Sequence, residues 1–106
     1  MADIALAQRT VQIYEGALST AQQDLTAQQN IQTSFQNKAN ALNDQAAGLP
    51  NGSDEQQATL EKAANYQSQA NNQAQFITRA QANVDNAQSQ LDYAKQELVT
   101  AQQQQD

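Results

Sequence analysis

The fold is decided by the stretch Ala46-Ala47-Gly48-Leu49-Pro50-Asn51-Gly52-Ser53-Asp54, which holds the only proline and two of the three glycines of the chain. Gly48 suits the left-handed position after the last turn of a helix, and Pro50 cannot continue one. Ser53 then predicts a new helix start, because its hydroxyl can accept from the Gln56 backbone N–H while the Gln56 side chain reaches back to Ser53. The sequence therefore predicts a turn over residues 48–53 that includes Gly48, Pro50, Gly52 and Ser53.

The remainder of the chain is typical of long helices. Alanine and glutamine dominate it, and both residues favour helix. Asp3 is a suitable N-cap for a first helix over about residues 3–47, and a second helix is expected over about 54–104. The predicted fold class is all-α, with two long antiparallel helices forming an alanine-rich coiled-coil hairpin. We expect it to be a single domain over residues 1–106.

Apolar residues recur at heptad spacing in both predicted helices and define two columns, a and d. In the first helix, column a holds Ile4, Val11, Leu18, Leu25, Gln32 and Ala39, and column d holds Ala7, Tyr14, Ala21, Gln28, Phe35 and Leu42. In the second helix, column a holds Ala63, Ala70, Ile77, Val84, Leu91 and Leu98, and column d holds Tyr66, Gln73, Ala80, Ala87, Ala94 and Ala101. These columns predict the seam between the helices.

The register of the seam follows from the sizes of these side chains. An antiparallel pair places a residues of one helix in layers with d residues of the other. When the residue numbers in every layer sum to 105, large side chains meet alanines, as Val11 meets Ala94 and Leu18 meets Ala87. The implied reversal falls between Gly52 and Ser53, at the turn found independently. Such layers predict that the helix axes approach toward the short end of the usual ~8–10 Å range.

One layer of this register pairs Gln32 with Gln73. Two amides can hydrogen-bond each other inside a seam and set its register at a small cost in stability. The alternative interpretation is a wet gap or local fraying at this layer. The sequence leaves both interpretations open.

The two edges of the predicted seam differ in composition. Positions e, which we call the amide edge, carry almost only amides. Positions g and c, which we call the apolar edge, carry surplus apolar residues: Leu6, Ile13, Ala17, Ala27, Ile31, Ala41, Phe76 and Tyr93. Apolar residues outside a completed seam predict a second interface, formed by Leu6, Ile13, Ile31, Phe76 and Tyr93. Isolated exposed apolar residues are also ordinary on protein surfaces, so a solvated edge is the alternative.

The residue types of the chain argue against catalytic, metal or cofactor sites. His and Cys are absent, which removes disulfides, zinc sites and the commonest general base. The carboxylates of Asp54 and Glu55 fall at a helix start, where the helix dipole explains them. Residues 44–55 have the length of a calcium loop, but Leu49 stands where that loop needs glycine. We therefore expect no enzyme activity and no cofactor.

Charge and hydropathy restrict the partners. A net charge of −6 with five scattered basic residues disfavours nucleic acid and anionic lipid. The mean hydropathy is −0.81, and no apolar run approaches the roughly 18 residues of a membrane span. The N-terminus lacks the basic and apolar regions of a signal peptide. We expect a soluble protein without membrane insertion, located in a virion or the cytoplasm or exported by a signal-peptide-independent route.

Two resemblances accompany these patterns. Residues 80–95, Ala80-Gln81-Ala82-Asn83-Val84-Asp85-Asn86-Ala87-Gln88-Ser89-Gln90-Leu91-Asp92-Tyr93-Ala94-Lys95, resemble the coiled-coil hairpins of periplasmic adaptor proteins of bacterial efflux and secretion systems. Those hairpins are inserted between β-rich halves, and this chain has no β pattern. The match is a general alanine and glutamine heptad, which indicates shared physics and not kinship.

The whole chain is similar in outline to the WXG100, or ESAT-6-like, secreted proteins. The likeness rests on length, a hairpin with a glycine-containing turn, and Tyr93-Ala94-Lys95-Gln96-Glu97, which fits the Tyr-x-x-x-Asp/Glu pattern late in the second helix of that family. The central Trp-x-Gly of the family is missing, since Leu49-Pro50-Asn51-Gly52 stands in its place. The resemblance implies a secreted protein that forms homodimers or heterodimers.

Taken together, these patterns favour a non-enzymatic structural or assembly protein. It would pack through the apolar edge into a multi-subunit structure, such as a phage virion or a secretion apparatus. Its partner would be a second copy or another helical protein, so we expect an oligomer. The alternative is a secreted protein of the WXG100 kind.

Overall fold

The computed structural model describes residues 3–104, which form two α-helices, α1 (Ile4–Ala47) and α2 (Asp54–Gln104), with no strand among them. The molecule is an all-α helical hairpin, as predicted. Asp3 caps α1, because its Oδ1 accepts from the backbone N–H of Leu6 at 3.0 Å. Neither described helix has an apolar stretch long and hydrophobic enough to cross a membrane.

The helices pack against each other in two compact units, each built from a segment of α1 and a segment of α2. The terminal unit comprises residues 3–25 and 79–104 of the described chain, and the turn unit comprises residues 26–78. In both units, every residue of the predicted a and d columns is buried or half-buried. The heptad assignment is thereby confirmed.

The core of the terminal unit joins large side chains to alanines. Val11, Leu91 and Ala94 form one buried cluster, against which Tyr14, Leu18 and Leu98 pack. The predicted register places Val11 with Ala94 and Tyr14 with Leu91, and this cluster agrees with it. Ala80, Ala87 and Ala101 are also buried. Methyl groups at these positions allow a close approach of the helices, in which dispersion contacts replace side-chain bulk.

The core of the turn unit follows the same rule and adds an aromatic pair. Ala39, Ala46, Ala63 and Ala70 are almost completely buried. The rings of Phe35 in α1 and Tyr66 in α2 stack with centroids 6.4 Å apart and an interplanar angle of 30°. The predicted layers of these residues are neighbours, so a ring from each helix covers an alanine of the other. Offset stacking of this kind adds about 0.5–1.5 kcal/mol beyond the area buried.

The glutamine layer differs from both interpretations that the sequence left open. The two amides neither bond each other nor leave a gap, because each side chain bonds the opposite helix. Gln32 Nε2 donates to the backbone carbonyl of Ala70 at 3.1 Å. Gln73 Nε2 donates to the backbone carbonyl of Gln28 at 3.2 Å and also to the Gln28 side-chain oxygen. A helix carbonyl at a close seam is within reach of a glutamine, which explains why the backbone accepts these bonds.

A reciprocal amide pair lies on the amide edge of the turn unit. Gln36 Nε2 donates to Gln67 Oε1 at 2.8 Å, and Gln67 Nε2 donates to Gln36 Oε1 at 3.0 Å. Each amide also donates along its own helix, to Asn40 and Asn71 respectively, at 3.0 Å. This network clamps the two helices beside the seam and satisfies the polar groups it half-buries.

The turn uses its glycines differently from the prediction. Gly48 does not adopt the left-handed conformation. In the described chain the positive φ, 76°, is that of Gly52. Helix α1 closes with short-range bonds, in which the N–H groups of Gly48 and Leu49 donate to carbonyls three residues earlier, each at 3.1 Å. The Ser53 N–H then donates to the Pro50 carbonyl at 3.1 Å, with Gly52 in the third position, as a type II turn requires.

Gln56 connects the parts of the turn. Its backbone N–H donates to the Ser53 hydroxyl at 3.1 Å, which confirms the predicted cap. Its side-chain oxygen, however, accepts from the Gly52 N–H at 2.8 Å and not from Ser53, whose N–H is used by the β-turn. Its Nε2 also donates to the Ala46 carbonyl at 3.1 Å. One side chain therefore links the end of α1, the turn and the start of α2.

We expect Gln56→Ala to lower the free energy of unfolding by about 1–2 kcal/mol, because the Gly52 N–H and the Ala46 carbonyl both lose a partner. Urea denaturation followed by circular dichroism measures this change. The matched control is Gln57→Ala, one residue further along and exposed, which should change stability by less than about 0.5 kcal/mol. Equal effects of the two substitutions would contradict the linking role of Gln56.

Candidate interaction surface

The predicted interface residues of the terminal unit are exposed. Leu6 and Ile13 of α1 keep 59% and 62% of their surface accessible, and Tyr93 of α2 keeps 63%. All three occupy c positions, one step outside the seam, so their neighbours cannot cover them. They give the apolar edge of this unit three large unburied side chains.

A groove of about 480 Å³ opens between the two helices on this edge. Its lining includes seam alanines of both helices, Ala7, Ala94 and Ala101. Because these side chains are small, they leave a depression between the larger side chains of Leu6 and Tyr93, which also line the groove. The other lining residues are polar and comprise Asp3, Thr10, Gln96, Glu97, Thr100 and Gln104. The groove thus combines apolar walls with hydroxyl, amide and carboxylate groups, the mixture found where helices receive a partner.

Tyr93 and Glu97 are coupled on this edge. They stand one helical turn apart on the same face of α2. Hydrogen bonding to the Glu97 side chain, together with its negative charge and desolvation, raises the pKa of Tyr93 above its ordinary value of 10.0. Glu97 therefore favours the neutral form of the phenol.

Because the pKa of Tyr93 is raised in the folded chain, folding favours the neutral phenol. The resulting stabilisation is complete below the ordinary tyrosine pKa and is lost as the pH rises through the raised pKa. NMR of isotope-labelled tyrosine rings distinguishes Tyr93 from Tyr14 and Tyr66 during a pH titration. We expect Glu97→Gln to return the Tyr93 pKa toward its ordinary value, while Asp92→Asn, beside Tyr93 but on another face, should leave it raised. If the pKa of Tyr93 is the same with and without Glu97→Gln, Glu97 is not the cause of its raised value.

The predicted interface residues of the turn unit are also exposed. Ile31 keeps 41% of its surface accessible and Phe76 keeps 49%. On the same edge, the Lys38 ammonium lies 5.4 Å from the centre of the Tyr66 ring, within the range of a cation–π contact. Lys62 and Tyr66 line a shallow depression beside it. The edge of this unit therefore presents apolar groups and an oriented positive charge.

Sequence reasoning missed two exposed apolar side chains, Leu60 and Val99, which keep 44% and 51% of their surface. Leu60 occupies an e position, so the amide edge is not free of large apolar groups. Val99 occupies a b position, away from either edge. Heptad assignment of residues 54–104 could have found both, because each lies outside the a and d columns.

The polar residues of the described chain show no further constellation. Within residues 3–104, no three His, Cys, Asp or Glu side chains converge closely enough to hold a metal ion. Every buried side-chain nitrogen or oxygen in that range has a hydrogen-bond partner. The surface features that stand out are thus the groove and the exposed apolar side chains.

Comparison with known proteins returns no relative: no family model, no curated protein and no solved structure matches the chain.

Proposed function

We propose that this protein is a non-enzymatic assembly protein that packs through its apolar edge into a multi-subunit structure. One observation carries the proposal: Leu6, Ile13, Ile31, Phe76 and Tyr93, all on positions c and g, keep 41–63% of their surface accessible. Large exposed apolar side chains that share one edge of a helical pair are typical of an interaction surface.

The energetics support association of moderate strength. Burying the remaining exposed part of each of these side chains stabilises a complex by roughly 1 kcal/mol, about half the value for a fully buried apolar side chain. The five side chains of one copy therefore contribute about 5 kcal/mol, near the lower end of the ~4–15 kcal/mol cost of association. A partner with an equivalent apolar surface doubles the gain. Such a partner makes the interface favourable, whereas a polar partner does not.

Substitution of the apolar edge tests the proposal. Ile31→Asp and Phe76→Asp should each shift the native chain from oligomer to monomer in sedimentation velocity over a range of concentrations, since each buries a charge in the interface. Leu60→Asp is the matched control, because Leu60 is as exposed as Ile31 but lies on the amide edge. It should leave the oligomer intact.

Two outcomes would overturn the proposal. The first is a native chain that remains a monomer at every concentration and binds no helical partner. The second is an assembly that Leu60→Asp disrupts as strongly as Ile31→Asp, because the apolar edge would then have no special role. Circular dichroism on each variant distinguishes lost association from lost folding.

A second candidate function is that of a secreted protein of the WXG100 kind. The observation that favours it is that Tyr93 and Glu97, one turn apart on the same face of α2, are both exposed and available for recognition. Export of Tyr93→Ala from the native host should fall strongly, while export of Val99→Ala, a control on α2 that is also exposed, should be unchanged. Normal export of Tyr93→Ala would exclude this candidate.

A further inference from the structure

We infer that the apolar edge is covered by a second copy of this chain running antiparallel to the first, with the terminal unit of one copy against the turn unit of the other. The inference depends on the proposed function and adds to it the identity and the orientation of the partner.

Charges on the apolar edge differ between the units. In the terminal unit the edge carries Asp3 and Glu97, which are exposed and line the groove. In the turn unit it carries Lys38 and Lys62, also exposed. The one acid on the edge of the turn unit, Glu55, lies in the first turn of α2, where the helix dipole attracts it.

The remaining charges of the edge, Asp24 and Arg79, are of opposite sign and cancel. Like ends of two copies therefore repel and unlike ends attract, which favours the antiparallel arrangement.

The charges that matter most are already oriented. Asp3 Oδ1 accepts from the Leu6 backbone N–H at 3.0 Å, and the Lys38 ammonium lies 5.4 Å from the centre of the Tyr66 ring. Side chains restrained before association lose less conformational entropy when they pair. Each unit therefore presents one ordered charge, an acid in the terminal unit and a base in the turn unit.

Spacing along α1 aligns these charges with the apolar residues. In an antiparallel contact between two copies of α1, residues whose numbers sum to one constant lie opposite each other. A sum of 44 places Ile13 opposite Ile31 of the second copy and Ala17 opposite its Ala27. The same offset places Lys38 of the second copy opposite Leu6.

In this arrangement Lys38 of the second copy, opposite Leu6, lies between the two acids of the terminal unit, Asp3 and Glu97. Asp3 is three residues away along α1, and Glu97 falls two residues to the other side in the register of the seam. At ~1.5 Å per residue, both carboxylates are within ~5 Å of the lysine along the helix axis. The methylene chain of the lysine packs on Leu6 while its ammonium reaches the carboxylates. One offset thus satisfies apolar and charged residues together, and symmetry makes the contact twice.

Crosslinking tests the orientation. Because the chain contains no cysteine, a bis-maleimide can join only the cysteines that are introduced. Ala17→Cys and Ala27→Cys are mild changes at exposed positions of the apolar edge. When the two variants are mixed and treated with a short bis-maleimide, mass spectrometry should find 17-to-27 crosslinks in several-fold excess over 17-to-17 and 27-to-27. Gln22→Cys, central in the same offset but on the amide edge, should crosslink little. Predominance of same-residue crosslinks, or equal crosslinking of Gln22→Cys, would overturn the inference.

Charge reversal tests the pairing independently. Lys38→Glu should weaken self-association about tenfold, because two equivalent surface pairs are each replaced by repulsion. Adding Glu97→Lys should restore most of the loss, and Lys95→Glu on the amide edge is the control. If Ile31→Asp abolishes self-association while Lys38→Glu leaves it unchanged, the antiparallel arrangement is overturned and the proposed function still stands. A native monomer that binds a different helical protein through the apolar edge would overturn the second copy as partner, again leaving the proposed function.

Discussion

Leu91→Ala should lower the free energy of unfolding by about 2–4 kcal/mol. Leu91 is the most deeply buried large side chain of the terminal unit, with 4% of its surface accessible, and it contacts the cluster of Val11 and Ala94. Its truncation removes apolar burial and leaves a cavity between two helices. Tyr14, Leu18 and Leu98 pack against the same cluster, and the extent to which they relax into the cavity sets where in this range the loss falls.

Urea denaturation at several protein concentrations measures this loss, and extrapolation to low concentration removes the contribution of association. Leu60→Ala supplies the control, since it makes the same chemical change at a site 44% exposed on the amide edge. It should cost less than about 1 kcal/mol. If the two truncations were equal, the cluster around Leu91 would not be the core of the terminal unit.

Ala70→Leu should lower the free energy of unfolding by about 1–3 kcal/mol, although it adds apolar surface. Ala70 is 2% exposed, and its backbone carbonyl accepts the Gln32 amide from the opposite helix at 3.1 Å. A leucine at this position has no space while the helices stay close. The helices must separate, which stretches the Gln32 bond and disturbs the nearby stack of Phe35 on Tyr66.

The control for this prediction is Ala64→Leu, on the exposed face of the same helix, which should change stability by less than about 0.5 kcal/mol. The sign of the Ala70→Leu effect is decisive. In a coiled coil of ordinary width, leucine at a seam position stabilises. A gain in stability would therefore show that close approach of the helices is not what holds the turn unit together.

Glutamine has structural roles in this molecule that hydropathy does not reveal. Gln56 joins the parts of the turn, Gln32 and Gln73 bond the opposite helix, and Gln36 pairs with Gln67. Neutral hydrogen bonds contribute only about 0.5–1.5 kcal/mol each, but an amide that loses its buried partner costs more. These bonds therefore oppose sliding of one helix along the other, which a seam of similar alanines would otherwise tolerate.

Residue pattern alone predicted the two helices, the turn between residues 48 and 53, and the a and d columns, because heptad spacing and the placement of proline and glycine are local properties of the chain. It also predicted that Ile31 and Tyr93 lie outside the seam, although it missed Leu60 and Val99. It assigned the left-handed conformation to Gly48, which was wrong, and it left open whether Gln32 and Gln73 bond each other or leave a gap.

Those details depended on three-dimensional packing, since the partner of a long amide is chosen by what lies within its reach across the seam. The left-handed residue is Gly52, because the Pro50–Ser53 turn needs it there. The groove between Leu6 and Tyr93 likewise exists because alanines of two distant segments, Ala7 and Ala101 among them, meet at its base. A local pattern can place each of these alanines in the seam, but a groove is formed only when both helices bring them together.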